Sequence, residues 1–130
     1  MISLDTHLLA RFLLQDDPAQ YIAVKALLTT HQIFTTPVTV MQELVWVLES
    51  KGRNSDKIGM AMEMLLNLPN FKPEHDDALR EALRNYREGI GFSDALHLAL
   101  SAPHEKFMTF DKAFARKAKK LGLRPDVALA

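Results

Sequence analysis

Short apolar segments that alternate with helix-forming segments constrain this chain more than any other feature. Residues 2–4 and 106–110 are mainly apolar, residues 32–36 are β-branched and aromatic, and each run precedes a segment with apolar residues at helical spacing. Strands that alternate with helices in this way are typical of domains whose parallel strands are joined by helices. The pattern therefore predicts an α/β domain with a mainly parallel sheet.

Length and composition set the size and the class of the protein. With 130 residues and 48% hydrophobic content, the chain is expected to form one domain over residues 1–130. It contains no cysteine, which excludes a disulfide framework or a thiolate metal site and is compatible with a reducing compartment. No apolar run approaches about 18 residues and the N-terminus lacks signal-peptide features, so we expect a cytoplasmic protein without membrane contact.

Helical spacing predicts a helix after each of the three strands and further helices between them. Pro18 and Pro37 suit first helical turns, and Gly122 suits the end of the last helix. Ser55 or Asp56 is expected to cap the helix that begins there. The predicted helices with bounds are the segment that follows Asp5 and residues 18–30, 38–49 and 74–88. A further helix has its core face at Ile58, Ala61, Met62, Leu65 and Leu66, another begins after Ser93, and the last is marked by Ala113, Phe114, Ala118 and Leu121.

One glycine-containing segment, residues 89–100, places an acid at the start of a helix. Its sequence is Gly-Ile-Gly-Phe-Ser-Asp-Ala-Leu-His-Leu-Ala-Leu. Gly89 and Gly91 suit a helix end and a turn, and Ser93 suits an N-cap. Asp94 then falls in the first helical turn, so its carboxylate is held at a helix start.

Three other acids stand at positions that invite a functional interpretation. Asp5 and Asp111 each follow a predicted strand at the point where a helix begins. Glu43 lies within a helix that is apolar nearly all round, where it shares a narrow polar face with Thr39 and Gln42.

Together these four acids predict a metal site. In a parallel sheet the strand ends that feed helices lie along one edge, so Asp5 and Asp111 are expected at the same crevice, which Asp94 and Glu43 could also line. Carboxylates held close together repel one another and require a compensating cation. Mg²⁺ or Mn²⁺ prefers oxygen ligands, and such a site suits phosphodiester hydrolysis.

Each acid also has a simpler structural interpretation. Asp5, Asp94 and Asp111 occupy predicted helix starts, where a carboxylate caps backbone amides and interacts favourably with the helix dipole. Taken one at a time, capping is the better interpretation, and only the combination favours a metal site. His97 lies one turn after Asp94 on the same face and is interpreted as a supporting or structural residue, because an oxygen-preferring ion does not need it.

The chain has no net charge, but its basic residues are unevenly distributed along the sequence. Sixteen basic and sixteen acidic residues give a net charge of +0, so composition does not indicate nucleic-acid binding. Basic residues nevertheless cluster near the C-terminus, at Lys106, Lys112, Arg116, Lys117, Lys119, Lys120 and Arg124. The cluster is either a solvated helix face or a surface that attracts a phosphate backbone.

Four motifs in this order resemble the PIN domain family, and within it the small VapC-type ribonuclease toxins of bacterial toxin–antitoxin pairs. The resemblance covers essentially the whole chain. The motifs are Asp5-Thr6 with Asp16-Asp17-Pro18 downstream, Gln42-Glu43-Leu44-Val45-Trp46-Val47-Leu48, Gly91-Phe92-Ser93-Asp94-Ala95-Leu96-His97, and Thr109-Phe110-Asp111 followed by Phe114-Ala115.

The resemblance implies a fold and a set of site residues. The fold is a small central parallel sheet, of about four to five strands, surrounded by helices. Asp5, Glu43, Asp94 and Asp111 match the family's catalytic acids, which hold Mg²⁺ or Mn²⁺. Thr6 matches a small hydroxyl residue that often supports the site.

The resemblance also implies partners, namely an RNA substrate, a cognate antitoxin protein and a second copy of the chain in a homodimer. One departure is His7, which stands where the family commonly has Asn and could alter metal preference or substrate position. We therefore predict a Mg²⁺- or Mn²⁺-dependent endoribonuclease, the toxin of a type II toxin–antitoxin system. The alternative is a catalytically silent PIN-like binding module that acts in regulation through dimer and antitoxin contacts.

Overall fold

A computed structural model describes residues 1–130, and the chain divides into two compact units, Met1–Asp76 and Asp77–Ala130. The elements of the first unit are β1 (Ile2–Ser3), α1 (Thr6–Leu14), α2 (Pro18–Leu28), β2 (Phe34–Thr35), α3 (Val38–Ser50) and α4 (Ser55–Leu66). Helix α5 begins at the last residue of that unit. The remaining elements are α5 (Asp76–Arg87), α6 (Phe92–Leu100), β3 (Lys106–Thr109), α7 (Lys112–Leu121) and β4 (Asp126–Leu129).

Seven helices and four short parallel strands give the α/β class that the alternating sequence pattern predicts. The single central sheet of about four to five strands is not confirmed, because the strands form two separate two-stranded sheets. β1 pairs with β2 in the first unit, and β3 pairs with β4 in the second. None of the helices combines the length and the apolar character that crossing a membrane requires.

The core of the first unit is organised around Phe34, whose side chain is 0% exposed. Phe34 pairs with Ile2 of β1 on one side and forms a parallel bridge with Phe71 on the other. The segment between Pro69 and Pro73, where the two prolines allow at most a short edge strand, contributes only this one bridge. Helix α1 packs against α2 and α3. The buried side chains of α1 and α3 include Leu9, Met41, Leu44, Val45 and Leu48.

The interruption between α1 and α2 has the cause that the sequence indicates. Gln15 ends α1 in the left-handed conformation, with φ of 54°. Asp17 caps α2 by accepting a backbone N–H of its first turn at 3.1 Å, and Pro18 is the first helical residue. Arg11 Nη1 donates to both carboxylate oxygens of Asp16, at 3.0 and 2.9 Å, and this hydrogen bonding lowers the pKa of Asp16.

The second unit contains a strand that the sequence analysis did not predict. β4 runs parallel to β3 through four residue pairs, from Lys106 opposite Asp126 to Thr109 opposite Leu129. Helix α7 forms the crossover between them and packs against β4. The ring of Phe107 on β3 meets that of Phe114 on α7 edge to face, with 6.1 Å between centroids.

Two helix starts differ from the predicted ones by one or two residues. Asn54 caps α4 instead of Ser55 or Asp56, and its Oδ1 accepts the backbone N–H of Lys57 at 2.9 Å. The N-cap of α6 is Gly91, not Ser93. Asn54, Ser55 and Asp56 stand in a row, so composition alone does not select the capping residue of α4, and a boundary difference of one or two residues is usual for helix ends.

Asn70, in the loop after α4, forms hydrogen bonds to the segment that links α2 with β2. Its Nδ2 donates to the carbonyl of Leu28 at 2.7 Å and lies 3.3 Å from that of Gln32. Its backbone carbonyl accepts the N–H of Phe34 at 2.7 Å. One residue thus satisfies carbonyl groups at the end of α2 and positions β2 beside its only bridging neighbour on that side.

We expect Asn70→Asp to lower the free energy of unfolding by about 1–3 kcal/mol, because a carboxylate cannot donate to these carbonyls. The change leaves the size of the side chain almost unaltered. Urea unfolding of the two proteins measures the difference.

Asn54→Asp is the matched control. It makes the same chemical change at a position whose side chain accepts a hydrogen bond, and Asp is as good an N-cap as Asn. Equal unfolding midpoints for Asn70→Asp and the unsubstituted protein would contradict this role for Asn70.

Candidate active site

Two of the four predicted acids line the same pocket in the second unit. This pocket has a volume of about 250 Å³, and both Asp94 and Asp111 are on its wall. The other lining residues come from the loop before α6 and from α7, and are Gly89, Ile90, Gly91, Ala113, Phe114 and Lys117. We refer to this cavity as the Asp94–Asp111 pocket.

The loop between α5 and α6 brings Asp94 to the pocket. Gly89 has φ of +102°, a left-handed conformation that L side chains rarely adopt, and it reverses the chain after α5. Ile90 is buried and anchors the loop, and Gly91 caps α6. A Cβ atom placed on Gly91 would lie 3.9 Å from Asp94 Oδ2, so the carboxylate lies close to the turn. Asp94 lies in the first turn of α6, where a negative charge interacts favourably with the helix dipole.

Asp111 is held at the pocket by hydrogen bonds at the junction of β3 and α7. Its Oδ1 accepts the backbone N–H of Phe114 at 3.0 Å, so Asp111 is a capping residue, as its simpler interpretation predicts. Its own N–H donates to the hydroxyl of Thr109 at 3.0 Å. A carboxylate has two oxygens with several lone pairs, so capping through Oδ1 is compatible with a further ligand. Asp111 therefore caps α7 and lines the pocket at the same time.

Lys117 adds a cation to the pocket that the sequence analysis did not single out. Its side chain is half-buried, and a Cβ atom placed on Gly89 would lie only 3.0 Å from Nζ. Glycine at residue 89 therefore leaves room for the lysine as well as for the turn. Ala113 and Lys117, four residues apart, lie on the same face of α7, and this spacing is the sequence signal that could have separated Lys117 from the other basic residues.

Asp5 and Thr6, in the first unit, lack the side-chain hydrogen bond to the helix start that Asp111 makes. Asp5 occupies the N-cap position of α1, with φ of −89° and ψ of 159°, but its side chain makes no capping hydrogen bond and is exposed. Thr6 is 1% exposed, and its hydroxyl oxygen has no hydrogen-bond partner. A buried hydroxyl without a partner costs free energy. Capping therefore does not account for the carboxylate of Asp5, and packing does not account for the hydroxyl of Thr6.

Glu43 lies on the exposed side of α3, also in the first unit. Thr39 and Trp46 are exposed on the same helix, and the buried side of α3 carries Leu44 and Val45 instead. The exposed face of α3 is therefore less polar than the predicted stripe, because it includes a tryptophan that is 67% exposed.

The two predicted histidine positions lie outside the Asp94–Asp111 pocket lining. His97 is exposed on α6 and is not among the residues that line the pocket. His7 lines a separate groove of about 250 Å³ on α1 and α2, together with Arg11 and Gln20.

In neither unit do three or more His, Asp or Glu side chains come together in a way that could hold a metal ion. The Asp94–Asp111 pocket provides two carboxylates, which are the oxygen ligands that Mg²⁺ and Mn²⁺ prefer. In chemical type, the donors that this pocket offers fit such an ion.

One protein-family model matches most of the chain. The model described as PIN domain matches residues 2–120, which include all four acids. Among curated proteins, none matches the chain.

We expect Asp111→Ala and Asp5→Ala to differ in their effect on stability. The Asp111 substitution removes a capping hydrogen bond and should lower the free energy of unfolding by about 1 kcal/mol. The Asp5 substitution removes no capping bond and should cost less. Urea unfolding in the presence of a chelator measures both effects, and equal losses would show that the two carboxylates contribute alike to helix capping.

Proposed function

The chain belongs to the PIN domain family, and from this membership we propose that it is a Mg²⁺- or Mn²⁺-dependent endoribonuclease, the toxin of a type II toxin–antitoxin system. PIN domains are generally nucleases, they act on RNA, and they typically use a divalent metal. The observation that carries the proposal is the Asp94–Asp111 pocket, where two motif acids share one cavity.

We assign metal binding and catalysis to Asp5, Glu43, Asp94 and Asp111, which match the four acids of the family in chain order. A bound Mg²⁺ or Mn²⁺ would stabilise negative charge on a phosphate and make an attacking water more acidic. Thr6 is assigned a supporting role, because its buried hydroxyl lacks a partner next to an acid that does not cap its helix.

The charges of the pocket support cation binding. Two carboxylates, Asp94 and Asp111, are accompanied there by the single ammonium group of Lys117. Like charges repel one another, and a divalent cation relieves that repulsion. Asp111 contributes a fixed carboxylate because the Phe114 N–H holds one of its oxygens. Lys117 adds positive charge at the same wall, where the phosphate of a substrate would need it.

Basic side chains beside the pocket support the assignment of RNA as the substrate. Between residues 106 and 124 the chain has seven basic residues and one acidic residue. Lys112, Arg116, Lys119 and Lys120 are all exposed on α7, the helix that Asp111 caps. A local concentration of positive charge attracts a phosphate backbone even when the net charge is zero.

Exposed apolar side chains support the proposed protein partners, an antitoxin and a second copy of the chain. Met60 and Met64 lie one turn apart on α4 and are 62% and 50% exposed, and Trp46 is exposed on α3, which packs against α4. Exposed methionine and tryptophan side chains are common at protein interfaces, where they adapt to a partner and bury a large area.

We expect Asp94→Asn to lower the rate of RNA cleavage by about 100-fold or more, and Asp5→Asn to do the same, because each removes the charge of a proposed metal ligand. His97→Ala is the control on the same helix and should retain most of the activity. Cleavage of a structured RNA by purified protein freed of antitoxin, with and without Mg²⁺ or Mn²⁺, measures these rates.

Unchanged cleavage by either Asp variant at the same metal concentration would contradict the assigned site. A protein that binds its antitoxin and cleaves no RNA at any metal concentration would be the silent binding module instead.

We expect the double variant Lys119→Glu and Lys120→Glu to weaken RNA binding to a similar extent for different sequences. If each lysine contacts a phosphate of single-stranded RNA, the slope of log affinity against log salt should become shallower by about 0.7 per residue. Lys57→Glu with Lys72→Glu changes the net charge equally at exposed positions outside the basic cluster. Identical salt slopes for the two double variants would show that the α7 cluster is a solvated helix face that does not contact RNA.

A further inference from the structure

The phenyl ring of Phe110 is the most exposed of the large apolar side chains, at 85%. The residue lies between the end of β3 and the start of α7. A phenylalanine in that position contributes little to a core, and its exposure to water is unfavourable. Neither the assigned catalytic acids nor the cations of α7 explain this side chain.

The backbone on both sides of Phe110 is held by hydrogen bonds. The carbonyl of Thr109 accepts the N–H of Ala130 at 3.0 Å, and the hydroxyl of Thr109 accepts the N–H of Asp111 at 3.0 Å. The carbonyl of Asp111 accepts the N–H of Ala115 at 3.1 Å, in addition to the cap that its side chain makes. Phe110 is therefore exposed by the fold at a fixed corner.

The surroundings of this corner indicate what kind of molecule the ring would contact. Phe110 is adjacent in the chain to Asp111, a wall residue of the Asp94–Asp111 pocket, so their Cα atoms are about 3.8 Å apart. The exposed cations Lys112 and Arg116 follow on α7. An exposed aromatic ring beside a row of cations is the arrangement with which proteins bind single-stranded nucleic acids, since bases stack on the ring and phosphates meet the cations.

We propose that Phe110 is a stacking platform for an unpaired base of single-stranded RNA, next to the phosphodiester that is cleaved at the Asp94–Asp111 pocket. The inference rests on the proposed function and narrows its substrate to RNA segments whose bases are free to unstack. Bases within an A-form duplex are stacked on each other, and side chains cannot read its deep, narrow major groove. Phe110 is a positioning residue in this assignment, and the acids carry out the chemistry.

The cations favour RNA over a protein as the occupant of this corner. An apolar protein surface gains nothing from Lys112 and Arg116, whereas a polyanion is attracted by both. Stacking is also tolerant of base identity, which suits a platform that positions a strand.

Binding is tested first in the Asp94→Asn background, in which cleavage of the RNA is expected to be slower by about 100-fold or more. The probe is a single-stranded oligoribonucleotide with one 2-aminopurine base, whose fluorescence changes on stacking, placed in turn at each position of the strand. We expect one position to respond, and Phe110→Ala to abolish that response and weaken binding by about 5- to 100-fold. Phe110→Trp should restore both. Ile22→Ala, which removes an exposed apolar side chain of α2, should change neither.

Cleavage by the otherwise unsubstituted protein gives a second, independent readout. An abasic site at the responding position should reduce kcat/KM for the unsubstituted protein to that of Phe110→Ala. The same abasic site should not reduce kcat/KM for Phe110→Ala any further, because the stacking contact is already absent.

Three outcomes overturn the inference. In the first, Phe110→Ala leaves both the fluorescence response and cleavage unchanged. In the second, Phe110→Ala lowers kcat/KM by the same factor for intact and for abasic RNA, which indicates a structural role for the residue. In the third, Phe110→Ala converts a dimer into a monomer in light scattering with unchanged RNA binding, which identifies a protein contact. If the unsubstituted protein cleaves no RNA but the 2-aminopurine response still depends on Phe110, the stacking assignment is supported and the nuclease proposal fails.

Discussion

The hydrogen bond from the Phe114 N–H to Asp111 Oδ1 fixes the part of the molecule on which the second unit's site depends. It starts α7 at the end of β3, and it holds one acid at the wall of the Asp94–Asp111 pocket. Because α7 begins there, Lys117 reaches the same pocket from further along the helix. The bond also keeps the corner at Phe110 in place. A capping interaction that would be ordinary elsewhere thus sets the geometry of an acid, a cation and an aromatic ring.

The proposed catalytic acids are not equivalent in what they contribute to the fold. Asp111 stabilises its own helix, so in the proposed function stability and activity favour the same side chain. Asp5 stands at the start of α1 without capping it, and the adjacent Thr6 buries a hydroxyl that lacks a partner. Buried polar groups in folded proteins are nearly always hydrogen-bonded. Folding therefore does not explain the Thr6 hydroxyl, and in the proposed function this residue supports the acid next to it.

Local charge matters more here than total charge. Sixteen acids and sixteen bases cancel over 130 residues, yet the segment that contains β3 and α7 is strongly basic. Exposed charges separated by more than about 10 Å are largely screened at moderate salt, so an approaching polyanion responds to this segment and not to the sum. In the proposed function, acids that bind a cation and bases that bind a phosphate backbone then act in one small protein.

Much of the fold could be predicted from the sequence, because the signals for it are local. The interruption of the helices at residues 15–17, Pro18 at the start of α2 and Gly122 at the end of α7 all depend on residues within a turn of one another. The order of the four motifs likewise identifies the PIN domain family without coordinates. These features require only helical periodicity, capping chemistry and spacing along the chain.

Other features are decided by residues far apart in the chain, and only the tertiary structure shows them. β4 is a strand because it pairs with β3 across a whole helix, and its four residues carry no strong periodic signal of their own. Lys117 is half-buried, unlike its exposed basic neighbours, because the turn at Gly89 lies against its side chain. Gly89 is 28 residues away from Lys117 along the chain. Capping patterns alone likewise do not show that Asp111 makes its cap while Asp5 does not. The sequence by itself determined where the helices form and which acids are present, because propensity and capping act over a few residues. Burial, pairing and pocket walls depend on distant contacts, so the tertiary structure decided them.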